Sequence, residues 1–276
     1  MEPIPVMVNG IPGNVAVQVA THVQTDDRFS LIPYSLTGPE IESGAHRMNR
    51  VDIRLIRPEH RDGVIQEIQA ANPPFISIDF THPAAVNANA EFYCRHRLPF
   101  VMGTTGGDRE RLDATVRASE ISAVIAPNMA KQIVGFQAMM DFAADNFPGL
   151  FEGYTLKVRE SHQQGKVDTS GTAKAMVSYF NRLGCAFSEE AIHKERDPEV
   201  QKSEWGIPED YLSGHAWHTY TLTSPDQTTT FSFTHNVNGR KIYVRGTLDA
   251  VAYLAEKIEL GVQGRVFTMI DVLKGT

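Results

Sequence analysis

The chain has 276 residues, of which 42% are hydrophobic and 21% are charged, and it contains 21 glycines and 15 prolines. This composition is typical of a globular protein and excludes collagen-like, low-complexity and disordered chains. Because the net charge is -7, the chain has no general electrostatic attraction for nucleic acid, and we expect no nucleic-acid partner. An anionic ligand must therefore be held by local groups.

The two cysteines, Cys94 and Cys185, lie far apart and outside any CxxC or Cys/His spacing. We therefore predict free thiols, with neither a disulfide framework nor a metal site. No stretch has the roughly 18 apolar residues of a membrane span, so we expect no membrane partner. Residues 1–8 lack the basic start of a secretory signal. We expect the protein in the cytoplasm, or in the plastid stroma if its source is a photosynthetic eukaryote.

The first half of the chain alternates short apolar runs with helical patterns. The run at residues 4–8 ends in an Asn9-Gly10 turn, and the helical pattern after it indicates a βα unit. Further strands are predicted at residues 29–36, 75–80, 99–103 and 123–125, and helices at 58–71, 83–97 and 108–119. This rhythm predicts an α/β fold with a Rossmann-like parallel sheet that helices cover on both faces.

After Asn128 the pattern changes to α+β. Alternating strands are predicted at 153–161, 218–223 and 228–237, helices at 170–184 and 247–259, a long polar loop at 197–216, and an apolar segment at 266–273. We predict a second, smaller α+β domain with a mixed or antiparallel sheet. The predicted boundaries place residues 1–129 and 240–276 in the first domain and residues 130–239 in the second.

Residues 10–16 fit the pattern G-x-x-G-x-x-[GA] between the first strand and the first helix. Glycines there permit a tight turn and let backbone N–H groups reach a pyrophosphate, although such turns are common after strands. The carboxylate that binds an adenosine ribose is absent from residues 29–37, where Ser35 and Thr37 stand instead. Hydroxyls can donate to a 2′-phosphate that a carboxylate would repel, so we favour NADPH and keep NADH as the alternative.

Basic residues follow in the same region, at His46, Arg47 and Arg50. They either add positive charge for the phosphate or are solvated loop residues. Three later loops, at residues 79–83, 103–107 and 126–129, follow predicted strands. The carboxyl ends of parallel strands line the ligand crevice of an open α/β sheet, so we expect these loops to contact the same cofactor.

Residues 160–173 carry the strongest chemical signal in the sequence. A strand leads to His162, a loop carries Lys166, and a helix begins at Ser170-Gly171-Thr172. The free N–H groups at a helix start favour an anion, and Lys166 adds a positive charge. A histidine beside such a site suits proton transfer to a substrate that bears a carboxylate. The alternative interpretation is an ordinary helix cap with a surface histidine and lysine.

The order and spacing of these motifs resemble the 4-hydroxy-tetrahydrodipicolinate reductase (dihydrodipicolinate reductase) family along nearly the whole chain. The resemblance rests on the glycine turn, on Phe80-Thr81, Gly103-Thr104-Thr105 and Ala126-Pro127-Asn128, on residues 160–173, and on the closing residues 234–240, 246–247 and 269–273. Residues 129–132 and 214–220 are most similar to the plant-type branch of this family.

The resemblance implies reduction of 4-hydroxy-tetrahydrodipicolinate to tetrahydrodipicolinate with NAD(P)H, in the diaminopimelate route to lysine. It implies that the first domain binds the dinucleotide. The second would bind a small dicarboxylate substrate and build a homo-oligomer, either a dimer or a tetramer. It also implies that His162 is the general acid/base and that Lys166 is the proton donor that assists loss of water.

The predicted contacts combine these assignments with the motifs. The substrate contacts are Gln163, Ser170, Gly171 and Thr172. The cofactor contacts are Gly10, Ile11, Pro12, Gly13, Asn14, Val15, Ser35, Thr37, Phe80, Gly103, Thr104, Thr105, Ala126, Pro127, Asn128 and Met129.

Three features depart from the family pattern. Gln163 stands where a second histidine often contacts substrate, the loop between Asp168 and Ser170 is one residue shorter than in the commoner bacterial pattern, and the acidic cofactor residue is absent. The sequence leaves two other functions open. A nucleotide-sensing protein without chemistry would not need His162 and Lys166, and another two-domain reductase or amino-acid dehydrogenase would need a different catalytic pair.

Overall fold

A computed structural model of the chain describes residues 2–275. Their strands are β1 (Ile4–Asn9), β2 (Phe29–Leu31), β3 (Tyr34–Leu36), β4 (Ala45–Met48), β5 (Val51–Ile56), β6 (Ile76–Asp79), β7 (Phe100–Met102), β8 (Ala123–Ile125), β9 (Thr155–His162), β10 (His193–Glu195), β11 (His215–Thr223), β12 (Thr230–Asn238) and β13 (Val266–Phe267). Their α-helices are α1 (Asn14–Val23), α2 (Arg61–Ala71), α3 (Val86–Arg95), α4 (Arg109–Arg117), α5 (Lys131–Asn146), α6 (Gly171–Arg182), α7 (Pro198–Ser203), α8 (Lys241–Glu259) and α9 (Met269–Lys274).

The main sheet has six strands in the order β13-β8-β7-β6-β1-β2, and all neighbouring pairs are parallel. Its strands are short apolar runs in which successive residues are buried, such as Val6, Met7 and Val8 in β1. Burial of successive residues is expected where helices cover both faces of a sheet. The predicted Rossmann-like parallel sheet is confirmed, and β13 comes from the apolar segment near the end of the chain.

The strand predicted at residues 29–36 is wrong in one respect, because the structure divides it in two. Pro33 has no N–H group to donate to a neighbouring strand, and the chain leaves the main sheet there. β2 stays beside β1, whereas β3 joins β4 and β5 in a separate three-stranded sheet that periodicity did not predict. Two hydrogen bonds hold the end of β3 against β1, from Gly10 N–H to the Leu36 carbonyl (2.8 Å) and from Leu36 N–H to Asn9 Oδ1 (2.9 Å).

The second sheet has four strands in the order β10-β9-β11-β12. β9 pairs in parallel with β10, and the other pairs are antiparallel, so the predicted mixed sheet is confirmed. The apolar face of α6, including Met176 and Phe180, packs with Val158, Tyr220 and other apolar residues of the sheet. One face of this sheet is therefore a core face, and its inward residues alternate along each strand.

Two further predictions of secondary structure need correction. The stretch 197–216, predicted as a loop, contains α7 and the start of β11, and the Asp197 side chain caps α7 by accepting from Glu199 N–H (2.8 Å). α8 begins at Lys241, six residues before the predicted start at 247. Residues on several sides of α8 are buried, so its first turns lack the one-sided apolar pattern that predicts a helix from sequence.

The described chain forms two compact units. The first runs to Lys131 and includes the residues from Lys241 onward, and the second is Gln132–Arg240. Each unit has an apolar core of its own, one around the main sheet and one between α6 and the mixed sheet. Among residues 2–275, no helix combines the length and the apolar character that a bilayer crossing requires.

Candidate active site

The glycine turn after β1 is held in a shape that only glycine fits. Gly10 has φ +100°, and a Cβ atom on it would lie 2.2 Å from the Phe80 carbonyl oxygen. A Cβ on Gly13 would lie 2.8 Å from the Gly10 carbonyl oxygen. Among the described residues, α1 has no side-chain cap and no acidic residue in its first turn. The N–H groups at the start of α1 are therefore available to an anion.

The two hydroxyls expected near a 2′-phosphate are instead bonded to the backbone of this turn. Ser35 is fully buried, and its Oγ accepts from Ile11 N–H (3.2 Å). Thr37 Oγ1 donates to the Ile11 carbonyl (2.9 Å). Both side chains therefore hold the backbone of Ile11, and their contact with a 2′-phosphate stays a prediction. The Ile11 side chain is also buried, whereas Pro12, Gly13 and Asn14 are exposed.

Asp79, at the end of β6, organises the neighbouring loops. The side chain is fully buried, and Oδ1 accepts from Thr81 N–H (3.1 Å), Thr81 Oγ1 (2.9 Å) and Thr104 Oγ1 (2.7 Å). Oδ2 accepts from Asn89 Nδ2 (3.0 Å) and the Tyr93 hydroxyl (2.7 Å). Burial and the Asp79 charge hold the pKa of Tyr93 well above its usual value, so this phenol remains a donor.

Asp79 belongs to a loop that the sequence predicts to contact the cofactor, but the sequence assigns no role to its side chain. The available signal was a carboxylate at the end of a buried apolar strand, where an unpaired charge is costly. Asn9 extends the network, because its Nδ2 donates to the Tyr93 hydroxyl (3.1 Å) while its Oδ1 accepts from Leu36. One chain of hydrogen bonds thus connects the glycine turn with the loops after β6 and β7.

The other predicted cofactor residues lie on the same edge of the sheet. A Cβ on Gly103 would lie 2.3 Å from the Phe80 ring, so the loops after β6 and β7 touch. Thr105 is exposed. After β8, Met129 is buried, and its carbonyl oxygen would lie 1.7 Å from a Cβ on Gly246, so α8 packs directly on this loop. The loops after β1, β6, β7 and β8 therefore meet at one carboxyl edge.

In the second unit, strand register gathers four titratable side chains. Glu160 and His162 lie on the same face of β9, and both are buried. β11 places His218 directly opposite Glu160, and β12 places His235 opposite His218. The ring centroids of His162 and His218 are 5.1 Å apart, and those of His218 and His235 are 4.6 Å apart. Sequence analysis predicted only His162 of these four.

His162 is held in a neutral form with one nitrogen free. Its Nδ1 lies 3.2 Å from the His215 carbonyl oxygen, which can only accept, so Nδ1 carries the proton of the neutral ring. Within the described chain Nε2 is buried and has no hydrogen-bond partner. Burial, followed by the charges of Arg196 and Lys166, lowers the pKa of His162 to about 3. At neutral pH Nε2 therefore presents a lone pair.

A buried ion pair fixes the loop that carries Lys166. Glu160 is fully buried, with Oε1 2.5 Å from Arg196 Nη2, and its Oε2 accepts from Ser170 N–H (3.0 Å). Arg196 Nε donates to the Lys166 carbonyl oxygen (2.7 Å). The guanidinium neutralises the carboxylate and holds the loop backbone at the same time. Arg196 was not predicted as a site residue, because it directly precedes the predicted polar loop at 197–216 and no motif includes it.

The start of α6 is partly occupied by protein oxygens. Ser170 Oγ caps the helix by accepting from Thr172 N–H (3.2 Å), while the Ser170 amide donates to Glu160. A Cβ on Gly171 would have no atom of the described chain within 4 Å, so the helix start is open there. Gln163 and Lys166, on the preceding loop, are both half-buried. An anion would approach this helix at Gly171.

Comparisons with known families cover almost the entire chain. The family model described as "Dihydrodipicolinate reductase, N-terminus" matches residues 4–129, and the model described as "Dihydrodipicolinate reductase, C-terminus" matches residues 133–273. A solved structure, of "Dipicolinate bound Dihydrodipicolinate reductase from Paenisporosarcina sp. TG-14", superposes with a TM-score of 0.66 at 19% identity. It covers 96% of this chain and 97% of its own, which shows that the folds agree.

Two plant proteins are similar over the same length. A protein of Oryza sativa subsp. japonica named "Probable 4-hydroxy-tetrahydrodipicolinate reductase 1, chloroplastic" is 45% identical over 270 residues, covering 98% of this chain and 78% of its own. A protein of Arabidopsis thaliana named "4-hydroxy-tetrahydrodipicolinate reductase 1, chloroplastic" is 45% identical over 271 residues, with coverages of 98% and 78%. The chain therefore belongs to the dihydrodipicolinate reductase family of oxidoreductases.

Proposed function

We propose that this chain reduces 4-hydroxy-tetrahydrodipicolinate to tetrahydrodipicolinate, with hydride from a nicotinamide cofactor, in lysine biosynthesis by the diaminopimelate route. The relatives carry this activity in their names. The observation on which the proposal rests is His162, a buried neutral imidazole with a free Nε2 whose pKa is affected by the charge of Lys166. Glu160 connects it with the start of α6, because Oε2 lies 3.9 Å from Nε2 and accepts from Ser170 N–H. A buried base beside a cation and free amides suits proton transfer to an anionic substrate.

The first unit binds the dinucleotide in this proposal. The uncapped start of α1 and the tight glycine turn fit a pyrophosphate, and the loops after β6, β7 and β8 fit the nicotinamide half. When bound, the reduced nicotinamide supplies the hydride. NADPH is the preferred cofactor because residues 29–37 contain no carboxylate to repel a 2′-phosphate, and NADH is the alternative. Ser35 and Thr37 act by holding Ile11.

The proton comes through the second unit. Because His162 is neutral at pH 7, it cannot deliver a proton that it has not first received. Lys166 supplies it as the proton donor and assists loss of the substrate hydroxyl as water, while His162 transfers protons through Nε2. A bound dicarboxylate brings negative charge to the histidine and raises its pKa toward the working range. Gly171 and Thr172 hold one substrate carboxylate, with Ser170 and Gln163 in support.

The test is cofactor oxidation with substrate generated in place. Pyruvate and aspartate semialdehyde are condensed by a separate synthase, and absorbance of the reduced nicotinamide is followed with NADPH and NADH in parallel. We expect oxidation that requires both the chain and the substrate, and faster oxidation with NADPH at equal subsaturating concentration. No oxidation above the substrate-free control with either cofactor would sink the proposal.

The assembly and the compartment are also proposals. Large apolar side chains of the second unit are exposed, among them Met139 (64%) and Phe142 (64%) on α5, which supports a homo-oligomer, either a dimer or a tetramer. Light scattering of the purified chain measures this directly. We propose a cytoplasmic location, or the plastid stroma if the source is a photosynthetic eukaryote. The chloroplastic relatives support the second location, and cell fractionation tests it.

A further inference from the structure

Three buried side chains of the second unit converge on one point. Glu160 Oε2 lies 3.9 Å from His162 Nε2 and 3.8 Å from His218 Nε2. One ligand atom from each of the three residues lies within 4.8 Å of the other two. Three atoms this close share a central point no more than about 2.8 Å from each, which is 4.8 Å divided by √3. These separations are too long for direct hydrogen bonds.

The imidazole nitrogens at this point are unsatisfied within residues 2–275. His162 is only 6% exposed and His218 only 2%. His162 Nε2 and both ring nitrogens of His218 are nevertheless without a hydrogen-bond partner among the described residues. Leaving a buried polar atom unpaired is costly, so unpaired atoms that face a common point indicate a missing partner. Burial lowers the pKa of both histidines, and neutral imidazoles offer lone pairs.

We propose that Glu160, His162 and His218 form a binding site for a divalent zinc ion. Two imidazoles and one carboxylate are a ligand set that zinc accepts, and three protein ligands leave a fourth position open. Zinc–ligand distances of roughly 2.0–2.2 Å require each donor atom to move inward by at most about 0.8 Å. Small side-chain rotations supply this movement, since the register of β9 and β11 already places the three side chains together.

Nearby cations set the strength of the site. Arg196 occupies Oε1 of Glu160 and leaves Oε2 for the metal, but its charge and that of Lys166 oppose a further cation. The amide of Ser170 also donates to Oε2 and competes with the metal for that atom. Binding is therefore reversible, and the fold does not depend on it. A neighbouring half-buried imidazole, His235, stacks on His218 but is not one of the three ligands.

Zinc at this site inhibits the enzyme, and this consequence rests on the proposed function. A metal bound to His162 Nε2 occupies the lone pair that accepts a proton in the proposed reaction. Removal of the metal by a chelator restores turnover. The sequence gives no spacing signal for the site, because two ligands come from β9 and the third is brought from β11 by strand pairing.

The test measures metal binding without using activity. Tag-free, chelator-treated protein is dialysed against Zn²⁺, bound metal is counted, and the visible spectrum is recorded after substitution with Co²⁺. We expect one zinc per chain, a tetrahedral-type Co²⁺ spectrum and a metal-dependent rise in melting temperature. His218→Asn should weaken zinc binding at least about tenfold and remove the Co²⁺ spectrum. His162→Asn, at the second imidazole ligand, should do the same.

Two control variants locate the ion. His235→Asn changes the neighbouring half-buried imidazole, and His193→Asn changes an exposed histidine 3.8 Å from Glu195, so both should keep the wild-type affinity. Melting curves without metal identify any variant that fails to fold. Unchanged zinc binding in a folded His218→Asn variant, or no bound zinc in the wild type, would overturn the site. If zinc binds but no cofactor is oxidised, the proposed function fails and the metal site stands.

Discussion

The two candidate regions differ in how completely their buried polar groups are paired. At the cofactor edge, Asn9, Ser35 and Asp79 are buried, and each takes part in hydrogen bonds that join neighbouring loops. In the second unit, nitrogens of His162, His218 and His235 are buried with no partner in the described chain. The polar groups of the first region are therefore paired with one another, whereas the second region contains imidazole nitrogens without hydrogen-bond partners in this part of the chain.

This difference indicates how each region works. A paired network fixes the backbone, so a ligand meets amide groups that are already in place and little energy is spent on ordering them. Buried imidazole nitrogens without a partner lower the stability of the fold, and binding a proton or a metal ion relieves that cost. Variants in the first region should therefore change cofactor affinity and folding, and variants in the second should change turnover and pH dependence.

The largest expected effect is on turnover. His162→Ala removes the proton-transfer group, and we expect kcat to fall by a factor on the order of 10²–10⁴, with little change in the Kd of NADPH. Steady-state kinetics measure kcat, and a fluorescence titration with NADPH measures the Kd. His193→Asn, an exposed histidine of the same unit, serves as the control and should keep full turnover. Full turnover in His162→Ala would remove this residue from the mechanism.

Stability should fall steeply in mild acid. Burial lowers the pKa of His162 to about 3 and that of His235 to about 4, below the usual 6.5, and also lowers that of His218. Below pH 6.5 these histidines are protonated in the unfolded chain but stay neutral in the folded chain. Each histidine therefore reduces the free energy of unfolding by about 1.4 kcal/mol for every pH unit of acidification, until the pH reaches its folded pKa. Above pH 6.5 this contribution disappears.

Denaturant unfolding at pH 7.0, 6.0 and 5.0 measures this slope. His235→Phe replaces the half-buried imidazole of His235 by a ring that does not titrate, so the slope of this variant between pH 6 and pH 5 should be shallower than that of the wild type. An equal slope in the two proteins would show that His235 is protonated in the folded state, contrary to its low pKa.

Asp79→Ala tests the paired network. It removes the carboxylate that accepts from Thr81, Thr104, Asn89 and Tyr93, and we expect a loss of about 1–3 kcal/mol in the free energy of unfolding. The KM values for NADPH and NADH should rise more than kcat falls, because the loops move but the proton-transfer residues do not. Asp113→Ala, an exposed carboxylate on α4, is the matched control and should change stability by less than about 0.5 kcal/mol.

Ser35→Ala separates two roles for the hydroxyl. If Ser35 only holds Ile11 N–H, the substitution costs about 1 kcal/mol and raises the KM for NADPH and NADH by the same factor. Steady-state kinetics with both cofactors measure the ratio. A selective loss of NADPH would mean that the hydroxyl meets the 2′-phosphate, as the sequence had suggested.

The smallest effect concerns a glycine outside both regions. A Cβ on Gly63, in α2, would have no atom of the described chain within 4 Å, so Gly63→Ala should raise the free energy of unfolding by about 0.5–1 kcal/mol through helix propensity. Gly10→Ala should have the opposite sign, because of its φ of +100° and its contact with Phe80. Thermal unfolding measures the stability of both variants. If Gly63→Ala and Gly10→Ala were both destabilising, the effect at Gly10 would not indicate a constraint specific to the glycine turn.

Local pattern was sufficient for much of the fold. Continuous apolar runs at β1, β6, β7 and β8 predicted a parallel sheet, and residue alternation predicted the second one. The three-stranded sheet was missed, because Pro33 interrupts an apolar run that otherwise reads as one strand. α8 was predicted too short, because buried residues on several of its sides weaken its amphipathic periodicity. α5 was not predicted, because apolar residues such as Met139 and Phe142 also stand on its exposed side and obscure a one-sided pattern.

The candidate site was predictable only where its residues are close in sequence. The segment from Glu160 to Thr172 contains a strand end, a loop and a helix start, and each has a local signal. Arg196 and His218 join that segment through strand pairing and a long-range ion pair, which no spacing rule reveals. The hydrogen-bonding role of Asp79 was not predicted, because it depends on donors from α3 and from the loop after β7.

The buried hydroxyls at the end of β3 have a consequence for protein engineering. Attempts to switch cofactor preference usually begin at the residues after the second strand of such a domain. Here Ser35 and Thr37 are bonded to Ile11 of the glycine turn, so we expect changes at these positions to weaken the binding of NADPH and NADH alike. The exposed positions among residues 38–44, which carry Glu40 and Glu42, are free of that constraint and are the better place to redesign specificity.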